Sequence, residues 1–265
     1  MNDAFLEPVT RIAHRAGEAI LDIYAGDFDV ETKDDDSPVT AADMAAHQVI
    51  VEGLGELTPG LPILSEEAAS IPWEERGRWD TYWLVDPLDG TREFIKRNGE
   101  FTVNIALVRE GRPIIGVIHA PALKQSWLGC EGVGAFRHNG DGEPEPIQPR
   151  RTVSEPTRVL VSRSHPSPEV AAMLERLGPC ERIAAGSSLK FCRIAEGAAD
   201  FYPRTGTTCE WDTAAGQGIL EAAGGQVVDR EGRPLRYNRK RSLENPHFLA
   251  FADPDRDWLG LWSGD

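Results

Sequence analysis

A short apolar run that ends in two closely spaced aspartates restricts the fold of this chain more than any other feature of its sequence. Tyr82–Val85 predicts a buried strand, and Asp86 and Asp89 follow it, with Pro87 restricting the backbone between them. Carboxylates this close repel each other unless a cation lies between them, and Mg²⁺ prefers oxygen ligands. The alternative is that both aspartates only form a turn and cap the helix that begins near Gly90.

Two further acidic segments lie where other predicted strands end. Glu66 and Glu67 follow the apolar run Leu61–Leu64, and Glu210 and Asp212 precede an Ala/Gly-rich helix. Taken singly, the glutamates could belong to a solvated loop and Asp212 could cap its helix. Because the carboxyl ends of strands can converge on one crevice, the acidic segments together predict a site for two or more metal ions.

The charge balance favours the same interpretation. The chain has 28 basic and 43 acidic residues, for a net charge of −15. Such a surface repels nucleic acid and anionic membranes at long range, which argues against a general nucleic-acid binder. A phosphorylated substrate would be repelled too, unless bound cations or local basic residues reverse the field at the site.

The sequence contains no targeting or redox signal. Residues 1–25 lack the continuous apolar core of a signal peptide, and no run approaches the roughly 18 apolar residues of a membrane span. The four cysteines form no CxxC pair, which predicts reduced thiols in a cytoplasmic protein.

Periodicity predicts a layered α/β protein in two lobes. Residues 1–150 are expected to form an N-terminal α+β lobe with the metal site, and 151–265 a C-terminal α/β lobe with substrate-binding residues, because the composition turns to Gly, Pro, Glu and Arg at 141–151. No GxGxxG or GxxxxGK[ST] motif supports a dinucleotide or P-loop site. Helices are predicted at 5–24, 40–57, 169–177, 189–199 and 213–223, a polar loop at 31–38, and strands at 101–108, 114–118, 126–136, 158–161, 201–202, 226–228 and 248–251.

Several blocks carry a resemblance to a known family. WLVDPLDGTREF (83–94), with SEE upstream (65–67) and WDTAAG downstream (211–216), resembles the inositol monophosphatase superfamily of lithium-sensitive, magnesium-dependent phosphatases. The longer run 86–107, with 162–165, 186–191 and 202–204, is similar to the bacterial CysQ-type 3'(2'),5'-bisphosphate nucleotidases within it. The resemblance runs from about residue 33 to 245 and implies an αβαβα sandwich.

The resemblance also implies roles for individual residues. Its metal ligands, for two Mg²⁺ ions and in some cases a third, would be Glu66, Asp86, the Leu88 main-chain oxygen, Asp89 and Asp212. Thr91, Asp43 and Glu66 would be catalytic, and Gly90, Thr91, His165, Ser187, Lys190, Arg204 and Asp212 would bind substrate. Arg92 stands where many relatives carry lysine, which keeps the charge but changes its shape.

Some of these residues have simpler alternatives. Asp43 follows Thr40 in a capping-box pattern, and Thr91 could be an ordinary helix-start residue. Lys190 could be a solvated lysine and Arg204 a surface ion-pair partner, although an acidic protein needs cations near an anionic ligand. The basic segment 236–241 is predicted to be a solvated loop rather than a nucleic-acid patch.

The reaction that the resemblance implies is hydrolysis of adenosine 3',5'-bisphosphate to AMP and phosphate, in support of sulfate assimilation. An inositol or sugar phosphate monoesterase on the same metal site is one alternative. A metal-binding regulatory protein without hydrolytic activity is another. The expected partner is a nucleotide bisphosphate and no nucleic acid, in the cytoplasm, with a weak peripheral association with the cytoplasmic face of the inner membrane implied by the family.

Overall fold

Alternating layers of helix and sheet, in the order α-β-α-β-α, build the chain in the ranges that the structure describes. The structure is a computed structural model that describes residues 3–26, 30–32, 38–140, 142–163 and 167–262. This arrangement confirms the predicted αβαβα sandwich.

Within these ranges the helices are α1 (Leu6–Tyr24), α2 (Ala41–Leu57), α3 (Trp73–Arg76), α4 (Thr91–Ile95), α5 (Pro168–Leu177), α6 (Leu189–Ala195) and α7 (Glu210–Ala223). The strands are β1 (Val30–Thr32), β2 (Pro38–Thr40), β3 (Ile63–Ser65), β4 (Thr81–Asp89), β5 (Thr102–Arg109), β6 (Arg112–Ala120), β7 (Gln125–Cys130), β8 (Gly134–Asn139), β9 (Glu145–Ile147), β10 (Thr157–Ser162), β11 (Cys180–Ala185), β12 (Phe201–Arg204), β13 (Gln226–Asp229) and β14 (Phe248–Phe251). Short 3₁₀ turns lie at Asp3–Phe5, Glu66–Ala68, Pro121–Leu123 and Leu259–Leu261.

The larger sheet of the described chain has the strand order β3-β4-β5-β6-β7-β8-β9. Only β3 and β4 pair in parallel; from β4 onward the strands form an antiparallel meander. Helices α1 and α2 cover its outer face, because α1 buries Val9, Ala13, Ala16 and Ile20 at helical spacing. The predicted helices and hairpin are confirmed here.

Helices α6 and α7 fill the middle layer between the sheets. Helix α7 lies directly on the larger sheet at Gly116 and Gly129, because a Cβ atom there would come within 2.2 Å of the Ala215 oxygen and 2.5 Å of the Ile219 Cα. Side chains of both sheets and both helices share one apolar cluster. The N-terminus of α7, which carries Asp212, is thereby fixed relative to β4.

The smaller sheet of the described chain has the order β11-β10-β12-β14-β13 and mixes parallel and antiparallel pairs. Helix α5 packs on its outer face, where Met173, Leu174, Phe201 and Trp258 are buried. No helix in the described ranges has the length and apolar character needed to cross a bilayer.

The structure corrects several predicted elements. Strand β11 was not predicted, and the strand expected at 126–136 is two strands, β7 and β8. The predicted loop at 31–38 contains ends of β1 and β2, which pair with each other, while 33–37 lie outside the described residues. Strand β9 joins the larger sheet within the expected boundary segment 141–151. A division into lobes near residue 150 stays a prediction.

Candidate active site

A cavity of about 250 Å³ opens at the carboxyl end of β4, between the two sheets. Most of the residues singled out from the sequence line it together. They are Glu66, Asp86, Leu88, Asp89, Gly90, Thr91, Ser187, Lys190, Arg204 and Asp212. Thus acidic side chains from the larger sheet and α7 face basic side chains from α6 and β12.

An irregularity in β4 explains how both aspartates reach this cavity. Asp86 lies opposite Asn104 of β5 and Asp89 lies opposite Thr102, so β4 has one more residue than β5 between these pairs. Residues three apart in a regular strand point to opposite faces, and the extra residue of this bulge restores a common face. Pro87 is tolerated at this position because a bulge leaves one backbone group out of the ladder.

Gly90 ends β4 in a conformation that favours glycine. Its φ is +91°, and a Cβ atom there would lie 3.1 Å from Ser187 Cβ and 3.3 Å from the Glu100 oxygen. The chain therefore turns sharply into α4, with Thr91 as its first residue, while the segment around Ser187 packs against the turn. Helix α4 has only five residues, so its dipole is small.

The carboxylates of the cavity perturb one another strongly. Burial raises the pKa of Asp86 well above its ordinary value, and Glu66, Asp89, Asp212 and Asp43 raise it further. Burial also raises the pKa of Asp89 to about 6 and that of Asp212 well above its ordinary value, with Asp89 the next cause for Asp212. Such mutual repulsion in a buried space requires a cation or protonation at neutral pH.

The donor set fits a hard divalent cation. Among the described residues, Asp86 Oδ2 is buried with no hydrogen-bond partner, as expected of an atom reserved for another ligand. The acidic side chains that line the cavity supply oxygen donors, which Mg²⁺ prefers. No three Asp, Glu, His or Cys side chains of the described ranges are already arranged around one point. Mg²⁺ needs no such cage, because it is commonly bound through one or two carboxylates, waters and substrate phosphates.

Asp212 caps α7 and also lines the cavity. Its Oδ2 accepts a hydrogen bond from the Cys209 backbone N–H at 2.8 Å, so it caps α7 while lining the cavity. The same helix start is fixed by buried Glu210, whose carboxylate accepts from the Asn238 N–H at 2.6 Å and from Lys240 Nζ at 3.3 Å. Residues 236–241 form the predicted loop, and its basic residues Arg236, Arg239, Lys240 and Arg241 are exposed, whereas Tyr237 and Asn238 are buried.

Lys190 is not the solvated lysine that one interpretation expected. It is only 6% exposed, and its Nζ donates hydrogen bonds to the carbonyls of Ala185 and Ser187. Burial lowers its pKa to about 8, and the charge of Asp89 partly opposes this change. Ser187 itself has a φ of +41°, which is uncommon for a residue other than glycine. The hydrogen bonds from Lys190 to the two carbonyls stabilise this segment.

Arg204 lies between two cavities. It is half-buried and donates from Nη2 to the Thr207 carbonyl at 3.0 Å. A second cavity, of about 220 Å³, shares Ser162 and Arg204 with the first. This second cavity has both apolar and polar lining residues. The apolar ones are Val161, Val170, Ala171, Leu174 and Pro203, and the others are Ser162, Ser167, Arg182, Arg204, Thr205 and Gly206.

Asp43 is buried in the first turn of α2, and its charge raises the pKa of Asp86, so it lies close to the cluster. His165 belongs to the segment 164–166, outside the described residues, and its role stays a prediction.

Sequence reasoning missed Thr102 and Asn104, although two polar residues at alternate positions of an apolar strand were a visible signal.

Known proteins resemble this chain over nearly its full length. A family model described as the inositol monophosphatase family matches residues 1–253. The 3'(2'),5'-bisphosphate nucleotidase CysQ of Salmonella typhimurium strain LT2 is 50% identical over 245 residues, covering 92% of this chain and 98% of that protein. The protein of the same name from Haemophilus influenzae strain Rd is 38% identical over 263 residues, covering 99% and 98%.

Solved structures show the same likeness. The crystal structure of CysQ from Bacteroides thetaiotaomicron superposes with a TM-score of 0.81 at 42% identity, covering 94% of this chain and 97% of that one. An inositol monophosphatase from Anabaena (Nostoc) sp. PCC 7120 gives a TM-score of 0.77 at 28% identity, with 97% and 94% covered.

Proposed function

This chain belongs to the inositol monophosphatase family, and we propose that it is a 3'(2'),5'-bisphosphate nucleotidase, which hydrolyses the 3'-phosphate of adenosine 3',5'-bisphosphate to AMP and phosphate. The observation that carries the proposal is that an acidic cluster and two basic side chains, Lys190 and Arg204, line one cavity. The acidic side suits a cation-assisted phosphoryl transfer, and the basic side suits a second phosphate.

Membership in the family implies dependence on a divalent metal. We assign two Mg²⁺ ions, or three, to Glu66, Asp86, the Leu88 carbonyl, Asp89 and Asp212. When bound, such ions polarise phosphoryl oxygens, generate a nucleophilic water at neutral pH and neutralise charge on the leaving oxygen. The buried, partnerless Asp86 Oδ2 supports this assignment.

The side chains around the cavity would orient the substrate and move protons. Thr91, backed by Asp43 and Glu66, is assigned to orient the attacking water and to relay its proton, because the Thr91 hydroxyl would pass its own proton to the carboxylate of Asp43 as it receives one from the water. The amides of Gly90 and Thr91 are assigned to the scissile phosphate. This part of the proposal draws support from position alone, since these groups line or adjoin the acidic cluster.

The remaining substrate contacts fall on the side of the smaller sheet. Lys190 and Arg204 are assigned to the second phosphate, with Ser187, His165 and Asp212 as further substrate contacts. The second cavity, of about 220 Å³ beyond Arg204, has a partly apolar lining that suits a nucleoside base. An inositol phosphate has no group that would use this space, which favours a nucleotide over the inositol or sugar phosphate alternative.

The proposal extends to the setting of the reaction. We infer a cytoplasmic enzyme of sulfur metabolism that is inhibited by lithium and acts on a small nucleotide rather than on nucleic acid. A weak association with the inner membrane belongs to the same proposal. Removal of adenosine bisphosphate would relieve product inhibition during sulfate assimilation.

Comparative turnover tests the proposed function. Phosphate release would be measured with adenosine 3',5'-bisphosphate, inositol 1-phosphate and fructose 1,6-bisphosphate, each with Mg²⁺ or with EDTA. We expect Mg²⁺-dependent release with the adenosine bisphosphate preferred by kcat/KM. An Asp89→Asn preparation, purified in parallel, controls for contaminating phosphatases. Preference for inositol phosphate would support the monoesterase alternative, and absence of turnover in a metal-loaded protein would support the regulatory one.

A further inference from the structure

Strand β5 carries two buried polar side chains in an otherwise apolar sequence. Thr102 is 0% exposed and Asn104 is 1% exposed. Because they are two residues apart, they lie on the same face of the strand. That face contacts the Ser187–Ser188 segment before α6, which belongs to the middle layer of the fold. Burying these polar groups costs free energy unless they form hydrogen bonds, so both side chains require buried partners.

The amide of Asn104 connects hydroxyl groups on one side with Asp89 on the other. Its Oδ1 accepts from Thr102 Oγ1 at 3.0 Å and from Ser188 Oγ at 2.7 Å. Its Nδ2 donates to Asp89 Oδ2 at 3.5 Å, a long hydrogen bond to a charged acceptor. Ser187 Oγ lies 3.0 Å from Thr102 Oγ1, which extends the network to the wall of the cavity.

The charge of Asp89 fixes the orientation of the Asn104 amide. An ionised carboxylate only accepts, so the NH₂ group of Asn104 must face Asp89 and the amide oxygen must face the hydroxyls. Thr102 Oγ1 also lies 2.8 Å from Ser188 Oγ, so its single proton can go to the Asn104 oxygen or to Ser188. Asp89 also accepts a hydrogen bond from the Ser188 backbone N–H. Asp89 is thus held from two sides, by Asn104 of the neighbouring strand β5 and by the Ser188 N–H of the segment before α6.

We propose that Asn104 is a positioning residue, which orients the carboxylate of Asp89 for metal binding and ties it to the Ser187–Ser188 segment. The inference rests on the proposed function only in taking Asp89 as a metal ligand. Partners that orient metal ligands without touching the ion typically contribute about 10- to 100-fold to metal affinity. Asn104 meets this description because Asp89 is the acceptor of its Nδ2 donor.

Binding of Mn²⁺ alone, followed by electron paramagnetic resonance without substrate, tests the inference. Asn104→Ala should weaken Mn²⁺ binding by about 10- to 100-fold. In steady-state assays the Mg²⁺ concentration for half-maximal activity should rise similarly, and saturating Mg²⁺ should restore much of kcat. Ser126→Ala is the matched control, because Ser126 is 1% exposed and bridges His14 and His119 at 2.8 and 2.9 Å without lining the cavity.

A merely structural Asn104 would give a different result. In that case Asn104→Ala would lower the melting temperature as Ser126→Ala does, with Mn²⁺ affinity within about twofold of the wild type, and the inference would be overturned. If Asn104→Ala does not fold, Ser188→Ala removes one donor to the amide and should weaken Mn²⁺ binding about three- to tenfold. Unchanged affinity in that variant would equally contradict the inference.

The experiment separates this inference from the proposed substrate. If the wild type prefers inositol phosphate while Asn104→Ala still loses Mn²⁺ affinity, the proposed nucleotidase function fails and the positioning role stands. If the wild type prefers adenosine bisphosphate and Asn104→Ala binds Mn²⁺ normally, the nucleotidase function stands and the positioning role of Asn104 fails.

Discussion

Arg163, just after β10, donates two hydrogen bonds to the carboxylate of Glu100, from Nε at 3.0 Å and from Nη2 at 2.9 Å. The same carboxylate accepts from the Gly186 N–H at 2.7 Å. Glu100 precedes β5 of the larger sheet, whereas Arg163 and Gly186 belong to the region of the smaller sheet. This pair therefore holds the segment with Ser187 against the acidic cluster.

The first prediction concerns this contact. Glu100→Gln should raise KM for the bisphosphate about three- to tenfold, since one charge-assisted set of hydrogen bonds is weakened. The effect on folding stability should be small because Arg163 is 42% exposed and solvent screens the pair. Arg112→Gln serves as the control, because it removes an exposed ion pair with Glu131 that does not line the cavity. Equal KM values for both variants would contradict the prediction.

The second prediction concerns Asp89. Asp89→Asn should reduce kcat by about 10²- to 10⁴-fold, because the amide is a poor ligand for a hard cation. In EDTA the variant should be more stable than the wild type by about 1 kcal/mol at pH 8, because a buried charge is removed. The folded-state pKa of about 6 lies above the ordinary value of 3.8, so this gain should shrink as the pH falls below 6 and Asp89 becomes protonated. Melting curves of the variant and the wild type in EDTA at pH 5 and pH 8 would check the predicted stability gain. A fully active variant would refute the assignment of Asp89 as a metal ligand.

The third prediction is a pH dependence that comes from Lys190. Its pKa is lowered to about 8, so the free enzyme loses this positive charge as the pH rises through 8. We expect kcat/KM for adenosine bisphosphate to decline above that pH, because the protonated amine attracts the second phosphate. Lys190→Arg should move the decline to higher pH. An unchanged profile in Lys190→Arg would mean that another group titrates.

The elements predicted from the sequence were those with strong periodicity. Helix α1 was predicted because Val9, Ile12, Ala16 and Ile20 recur at helical spacing and are buried in the structure. Strand β11 was missed because it is an edge strand whose exposed Glu181 and Arg182 break the apolar pattern. Local sequence thus predicts an element well when one face is consistently buried.

The acidic residues of the site were predictable because they follow strand ends in recognisable motifs. The hydrogen bond between Asn104 and Ser188 was not, since it joins residues 84 positions apart. Such a contact depends on how β5 and α6 pack in three dimensions. The buried state of Lys190 was missed for the same reason, because the carbonyls that it binds become available only in the folded loop.

The fourth prediction concerns acid stability. His14, His119 and His138 lie together between α1 and the larger sheet, with His14 and His119 ring centroids 4.5 Å apart. Burial lowers the pKa of His119 to about 3. Below pH 6.5 this histidine therefore binds a proton in the unfolded chain but stays neutral in the folded chain. Stability should therefore fall between pH 6.5 and 4, by about 3 kcal/mol from this group. His119→Asn should be less stable at pH 7 but show a weaker fall on acidification, as denaturant unfolding at both pH values would reveal. A slope equal to that of the wild type would rule out His119 as the cause.

Crystals soaked in Mn²⁺ and analysed by anomalous scattering would test the central claim most directly. The claim is that acidic side chains far apart in sequence gather around divalent cations that receive a phosphoryl group. We expect anomalous peaks within the cavity, bounded by oxygens of Asp86, Asp89 and Asp212, with Glu66 contacting one of them. Peaks elsewhere only, or these carboxylates turned away from the bound ions, would contradict the account.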